Sequence, residues 1–198
     1  MSVAQGIGWE PPFQFAQLAE SPVANNTTRS PFYELRDLLL SAPQEALSRL
    51  RRDRSLLDAR SGLGETLLHW MAVADASSLV SALIELGAGI DTVNHFGSTP
   101  LQEAVQLGRT EICLELLARG ASVTHINDAG DSVISTSTIL KRKRNTQLIV
   151  ALLDRLPSDI PLSDVVDETA LEGIRHRDDP VAALFQARGI PESTYWNS

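Results

Sequence analysis

The sequence predicts an all-α solenoid of stacked helix pairs joined by hairpin loops, on three observations. Gly64, Gly97 and Gly130 are evenly spaced, since 97 − 64 and 130 − 97 are both 33. A similar phrase follows each: Gly64-Glu65-Thr66-Leu67-Leu68-His69, Gly97-Ser98-Thr99-Pro100-Leu101-Gln102 and Gly130-Asp131-Ser132-Val133-Ile134-Ser135. Hydrophobic residues make up 43% of the 198 positions, enough for one core continued from unit to unit. A unit this short cannot bury its apolar face alone, so stacking is required.

One period before Gly64 stands Pro31, after which Tyr33–Leu40 and Pro43–Leu50 read as two helices, with Ser41 as N-cap of the second. This first unit caps the stack. The unit from Gly64 keeps Thr66, Leu68, His69, Leu83, Gly87, Ala88 and Ile90 in phase. In the unit Gly97–Ala129, Pro100 presets φ at the first helical turn, Thr99 caps free N–H groups, and Gly108 and Gly120 supply left-handed backbone on either side of a helix over Ile112–Leu117. The unit from Gly130 runs long. Its glycine-to-threonine spacing, Gly130 to Thr146, is 146 − 130 = 16, against 110 − 97 = 13 for Gly97 and Thr110, and the excess falls in Lys141-Arg142-Lys143-Arg144-Asn145. A last, degenerate unit starts near Asp167-Glu168-Thr169-Ala170-Leu171 and ends at Ala187-Arg188-Gly189. The expected organisation is an arm over residues 1–30, a repeat domain over 31–190 whose best units are 64–96 and 97–129, and a tail over 191–198.

A 33-residue period with a Thr-Pro-Leu start resembles the ankyrin-repeat family. The resemblance is specific over residues 58–130 and extends in weaker form over 31–190. The Gly64 unit departs from the family pattern in having Leu67 where proline is usual and Asp75 where the turn glycine is usual. The resemblance implies a structural hydrogen bond between His69 and the threonine hydroxyl of its unit. It also implies a concave face of hairpin tips and first helices that binds other proteins. Mapped unit by unit, the tip positions are Arg60, Leu63 and Glu65, then Val93, His95, Phe96 and Ser98, then Ile126, Asp128 and Asp131. The first helices add Val73, Ala74, Gln106, Leu107, Ile139 and Leu140. Leu63, Val93 and Ile126 either pack under their own hairpins or add to an apolar strip. Phe96, flanked by polar residues, is the expected anchor.

A net charge of −8 argues against nucleic acid as the main ligand and fits a basic protein partner. Two basic clusters stand out against it, Arg49, Arg51, Arg52 and Arg54, and Lys141–Arg144. The second is a solvated turn, a contact patch or a nuclear import signal. The segment from Asp154 to Asp179 is acidic. The single Cys113 excludes an internal disulfide framework and is expected to face a neighbouring helix as a small apolar residue. The N-terminus shows no secretory pattern, and no stretch reaches membrane-spanning length. A cytoplasmic protein, monomeric when free, is expected, with the nucleus as the alternative location. In the arm, Trp9-Glu10-Pro11-Pro12-Phe13-Gln14-Phe15 joins stiff prolines to three aromatic rings. It is either a loosely held or docked terminus or a recognition segment.

None of the four histidines, His69, His95, His125 and His176, has a second His, Cys or acid at a spacing that suits a metal on a helix face. Nucleophile elbows, phosphate loops and dinucleotide fingerprints are absent from the sequence. The expectation is therefore a non-enzymatic module without cofactor or metal that binds a protein partner stoichiometrically. Two settings fit: an intracellular inhibitor such as a bacterial toxin-immunity protein, and a eukaryotic adaptor or regulator. An enzyme is a remote third.

Overall fold

The computed structural model describes residues 30–139, 145–167, 170–171 and 180–190. The arm ahead of Ser30, the run Leu140–Arg144 and the tail over 191–198 lie outside the described residues. Each helix begins where the sequence supplies punctuation. Pro31 and Pro43 stand in the first turns of α1 (Pro31–Ser41) and α2 (Pro43–Arg52), where no amide partner is lost. A short 3-10 helix follows over Arg54–Asp58, with the Asp53 carboxylate accepting from the Ser55 N–H. The next pairs are α3 (Leu67–Val73) with α4 (Ser77–Glu85), α5 (Pro100–Gln106) with α6 (Thr110–Ala118), and α7 (Val133–Ile139) with α8 (Thr146–Arg155). Beyond them, a 3-10 turn over Leu162–Asp164 leads to α9 (Pro180–Ala187), which packs on α8.

The helices form two layers. The first helices α1, α3, α5 and α7 pack in sequence along one layer, and α2, α4, α6 and α8 along the other. One continuous core runs between them from Phe32 and Leu35 through Leu83, Leu116 and Leu152 to Phe185. Cys113 lies in it, and burial pushes its thiol up to about 12, so it behaves as a small apolar residue. On the outer layer, exposed ion pairs link successive units: Asp75 with Arg109 at 3.2 Å, Glu85 with Arg119 at 3.2 Å and Asp154 with Arg188 at 3.0 Å. Each is worth at most about 1 kcal/mol, so the core carries the stack.

Two local readings change. Ser41 does not cap α2; its hydroxyl donates to the Asp37 carbonyl in the last turn of α1, and Ala42 occupies the cap position without a side-chain bond. Helix bounds also widen: α1 begins at Pro31 rather than Tyr33 and ends at Ser41, α2 ends at Arg52 rather than Leu50, and α6 runs over Thr110–Ala118 rather than Ile112–Leu117. At Asp75 the backbone itself meets the demand that glycine meets elsewhere. Its φ is +60°, against +67° at Gly108 one unit later, and it is the one non-glycine residue with positive φ among those described.

Candidate functional site

Three hairpin tips project from the start of α3, α5 and α7, and all are built alike. Ser61, Asn94 and Asn127 recur at the same period as the glycines, and each donates its N–H to the carbonyl four positions on, that of Glu65, Ser98 and Asp131. Their side-chain oxygens close the turn from inside. The Ser61 hydroxyl accepts from Leu63 and Glu65, the Asn94 carbonyl oxygen from Phe96 and Ser98, and that of Asn127 from Ala129 and Asp131, all at 2.9–3.1 Å. Gly64 and Gly97 complete their turns at φ +78° and +68°, and a Cβ there would strike the His95 ring or Asp128 of the next tip.

Neighbouring tips are joined directly. The His95 N–H donates to the Leu63 carbonyl at 2.9 Å and the Asp128 N–H to the Phe96 carbonyl at 3.1 Å. The inner helices add a second tie. His69 Nδ1 accepts from the Thr66 N–H at 3.1 Å and lies 2.9 Å from its hydroxyl, which leaves the proton on Nε2 to donate to the Ser98 carbonyl at 3.0 Å. The threonine contact implied by the resemblance is present. Burial holds the ring neutral, lowering its pKa to about 4. Gln102, in phase, takes the same place: Oε1 accepts from the Thr99 N–H and Nε2 donates to the Asp131 carbonyl at 2.8 Å. Ser135 continues the series, accepting from the Asp167 N–H at 3.1 Å, while the Ser132 hydroxyl donates to the Val165 carbonyl. The row of tips is therefore braced from within.

Side chains along that row divide by burial. Phe96 is 56% exposed, Ile126 46% and Val93 38%; with Leu40 on α1 these are the exposed large hydrophobic residues among those described. His95 and Asp128 are also exposed, and Leu63, Leu107 and Asp131 are half-buried. Arg60 is a tie as much as a surface group, since its guanidinium donates to the carbonyls of Gly64 and Val93, both at 2.8 Å. Two of the predicted tip positions are not on the surface. Glu65 is 2% exposed and Ser98 6%, because the residue after the tip glycine turns back toward the helices. The Glu65 carboxylate accepts from the Ser61 hydroxyl at 2.8 Å and the Trp70 indole at 2.9 Å, and burial raises its pKa. Of the first-helix positions, Gln106 is exposed, Ala74 half-buried and Val73 buried. Leu140 and the side chain of Ile139 lie outside the described residues.

The sequence reading missed Arg36, Trp70, Asn94 and Glu103 behind the row. The Arg36 guanidinium lies 4.8 Å from the Trp70 ring and 5.3 Å from that of Tyr33. The phase Trp70, Glu103, Thr136 was the signal to follow, because such in-phase positions share a place on successive inner helices. Among the described residues, no group of three or more His, Cys, Asp and Glu is placed to hold a metal ion, and no helix is long and apolar enough to cross a membrane.

Three hairpins built alike, each followed at one constant interval by the first helix of a pair, agree with a family match over residues 35–127, to a model of three ankyrin repeats. Residues 35–127 thus carry ankyrin repeats. The match covers just under half of the chain, and α1, α2, α7 and α8 extend the same two-layer stacking to either side of its best units. Similar segments occur in two much larger proteins. One is the transient receptor potential cation channel subfamily A member 1 homolog of Caenorhabditis elegans, 33% identical over 79 residues, covering 40% of this chain and 6% of that protein. The other is the E3 ubiquitin-protein ligase XBAT33 of Arabidopsis thaliana, 31% identical over 93 residues, covering 46% of this chain and 18% of that protein. The ankyrin repeats mark the chain as a protein-interaction module.

Proposed function

We propose that this ankyrin-repeat protein acts by occupancy, binding one protein partner along its hairpin tips without catalysing a reaction. The observation that carries the reading is the apolar group Val93, Phe96 and Ile126, exposed on two adjacent tips whose backbones are bonded to each other. Exposed apolar side chains cost solubility unless a partner covers them, and an aromatic ring on a fixed backbone loses little entropy when it docks. Asp128 beside the group and the net charge of −8 favour a partner that is apolar at the centre of its contact and basic at the rim. A stoichiometric inhibitor, of the kind a toxin-immunity protein represents, needs only this surface. The channel and ligase relatives share only the repeat segment, so their activities are not carried over.

The test is affinity capture followed by calorimetric titration of the identified partner with wild-type and variant chains. Phe96→Ala should weaken binding by about 2 kcal/mol or more at unchanged melting temperature. If Phe96→Ala and Ile126→Ala both bind as wild type while removal of residues 1–30 abolishes binding, the tips are not the site and the aromatic arm is.

A further inference from the structure

The tip that carries Phe96 differs from its neighbours in what stands behind it. Asn94, whose carbonyl oxygen holds the Phe96 and Ser98 N–H groups, donates its own amide to Glu103 Oε1 at 2.7 Å. Glu103, on α5, is 5% exposed, and its Oε2 is buried without a hydrogen-bond partner. In phase with it, α3 has Trp70 and α7 has Thr136, neither ionisable in this range. Of the three described tips, only this one is hooked to its inner helix through a carboxyl group reached by an asparagine. Of the charged groups on the packed elements, Glu65 from the first hairpin acts on Glu103 directly, and Arg36 of α1 acts on Glu65. His69 of α3 is neutral, Arg109 is paired with Asp75 at the far end of α5, and Cys113 of α6 is a buried thiol. The described side chains of α7 are uncharged.

We infer that Glu103 is a positioning residue that holds the Phe96 tip through Asn94 while its carboxyl group is protonated, and that losing this proton to solvent releases the tip. The inference rests on the reading of Phe96 as the docking anchor. A carboxylate in this position would be a buried charge beside a second carboxylate, with one oxygen lacking any donor, so rotation toward water relieves it and leaves the Asn94 amide without its acceptor. Burial first, and Glu65 second, keep the group protonated up to about pH 8. The tip is thereby fixed at neutral pH and loosened in mildly alkaline solution.

The experiment needs no partner, so its failure is distinct from failure of the docking site. Solvent-exchange NMR on the full chain from pH 6 to 9.5 compares the amides of Phe96 and Ser98 with those of Ala129 and Asp131, which Asn127 holds in the same way. Protection of Phe96 and Ser98, corrected for intrinsic exchange, should fall about tenfold for each pH unit beyond the transition. Protection of Ala129 and Asp131 should not change. Glu103→Gln, which keeps an acceptor for Asn94 and cannot ionise, should abolish the pH dependence, and Asn94→Ala should remove the protection at every pH. Protection that is constant in the wild type, that falls equally in Glu103→Gln, or that falls at all four amides together overturns the inference.

Discussion

At the scale of single residues, two buried titratable groups set opposing slopes on stability. His69 is neutral in the folded chain down to about pH 4, whereas the unfolded chain takes up its proton near 6.5. Stability from this residue is complete above 6.5 and is lost as pH falls from there toward about 4. Glu103 runs the other way. It keeps its proton up to about pH 8 against 4.5 when unfolded, so its contribution is complete below 4.5 and is lost as pH rises toward 8. Each limb is worth on the order of a few kcal/mol, and the two overlap to place maximal stability between 4.5 and 6.5. Urea unfolding as a function of pH should show this optimum. Glu103→Gln should flatten the alkaline limb. His69→Gln should flatten the acid limb while keeping the fold, since Gln102 already performs the same bridging one unit later.

At the scale of elements, each inner helix of the repeats is only seven residues long, too short to persist alone, and depends on its cap and on packing. Leu116→Ala in α6, at a fully buried position, should cost about 2–5 kcal/mol in equilibrium unfolding. A change within about half a kcal/mol would mean that this helix does not anchor its neighbours. Asp75→Gly should gain roughly half a kcal/mol, because relief of a positive φ outweighs one exposed ion pair. Scanning calorimetry would show the gain as a raised melting temperature. The glycine phase, Thr99 and Pro100 made these elements legible in the sequence, since they encode backbone conformations directly. Ser41 misled because Pro43 restricts Ala42 before it and fixes the start of α2 there, so the hydroxyl fell in the preceding helix. Burial of Glu65 and Ser98 was not legible, because a tip residue can turn toward solvent or toward the helices within the same spacing. The Asn94–Glu103 bond joins a loop to a helix across a separation that matches no repeat, so it follows from no periodicity.

For the whole molecule, the ends of α7 and α8 are the described points between which the basic insert is joined. Each inner helix starts at its tip, so Ile139 at the end of α7 and Asn145 before α8 lie about 10 Å from the tips, at 1.5 Å per residue over a seven-residue helix. That distance is about one Debye length at 0.1 M salt. If the tips alone carry binding, neutralising Lys141–Arg144, which lie outside the described residues, should change partner affinity by less than about twofold, measured by titration calorimetry at that ionic strength. A nuclear regulator that uses the run as an import signal would lose its location under the same change, whereas an inhibitor would keep its activity.

The same geometry marks a place where foreign chain can enter. Unit length is strictly kept wherever one tip bonds the next, and the added length of the Gly130 unit appears between α7 and α8. Lengthening a flexible connection between two helices costs only about 0.6 kcal/mol per doubling. A fluorescent reporter or affinity tag spliced between Ile139 and Asn145 would thus be attached at helix ends about 10 Å from the tips, and the proposed binding row could be followed in a living cell.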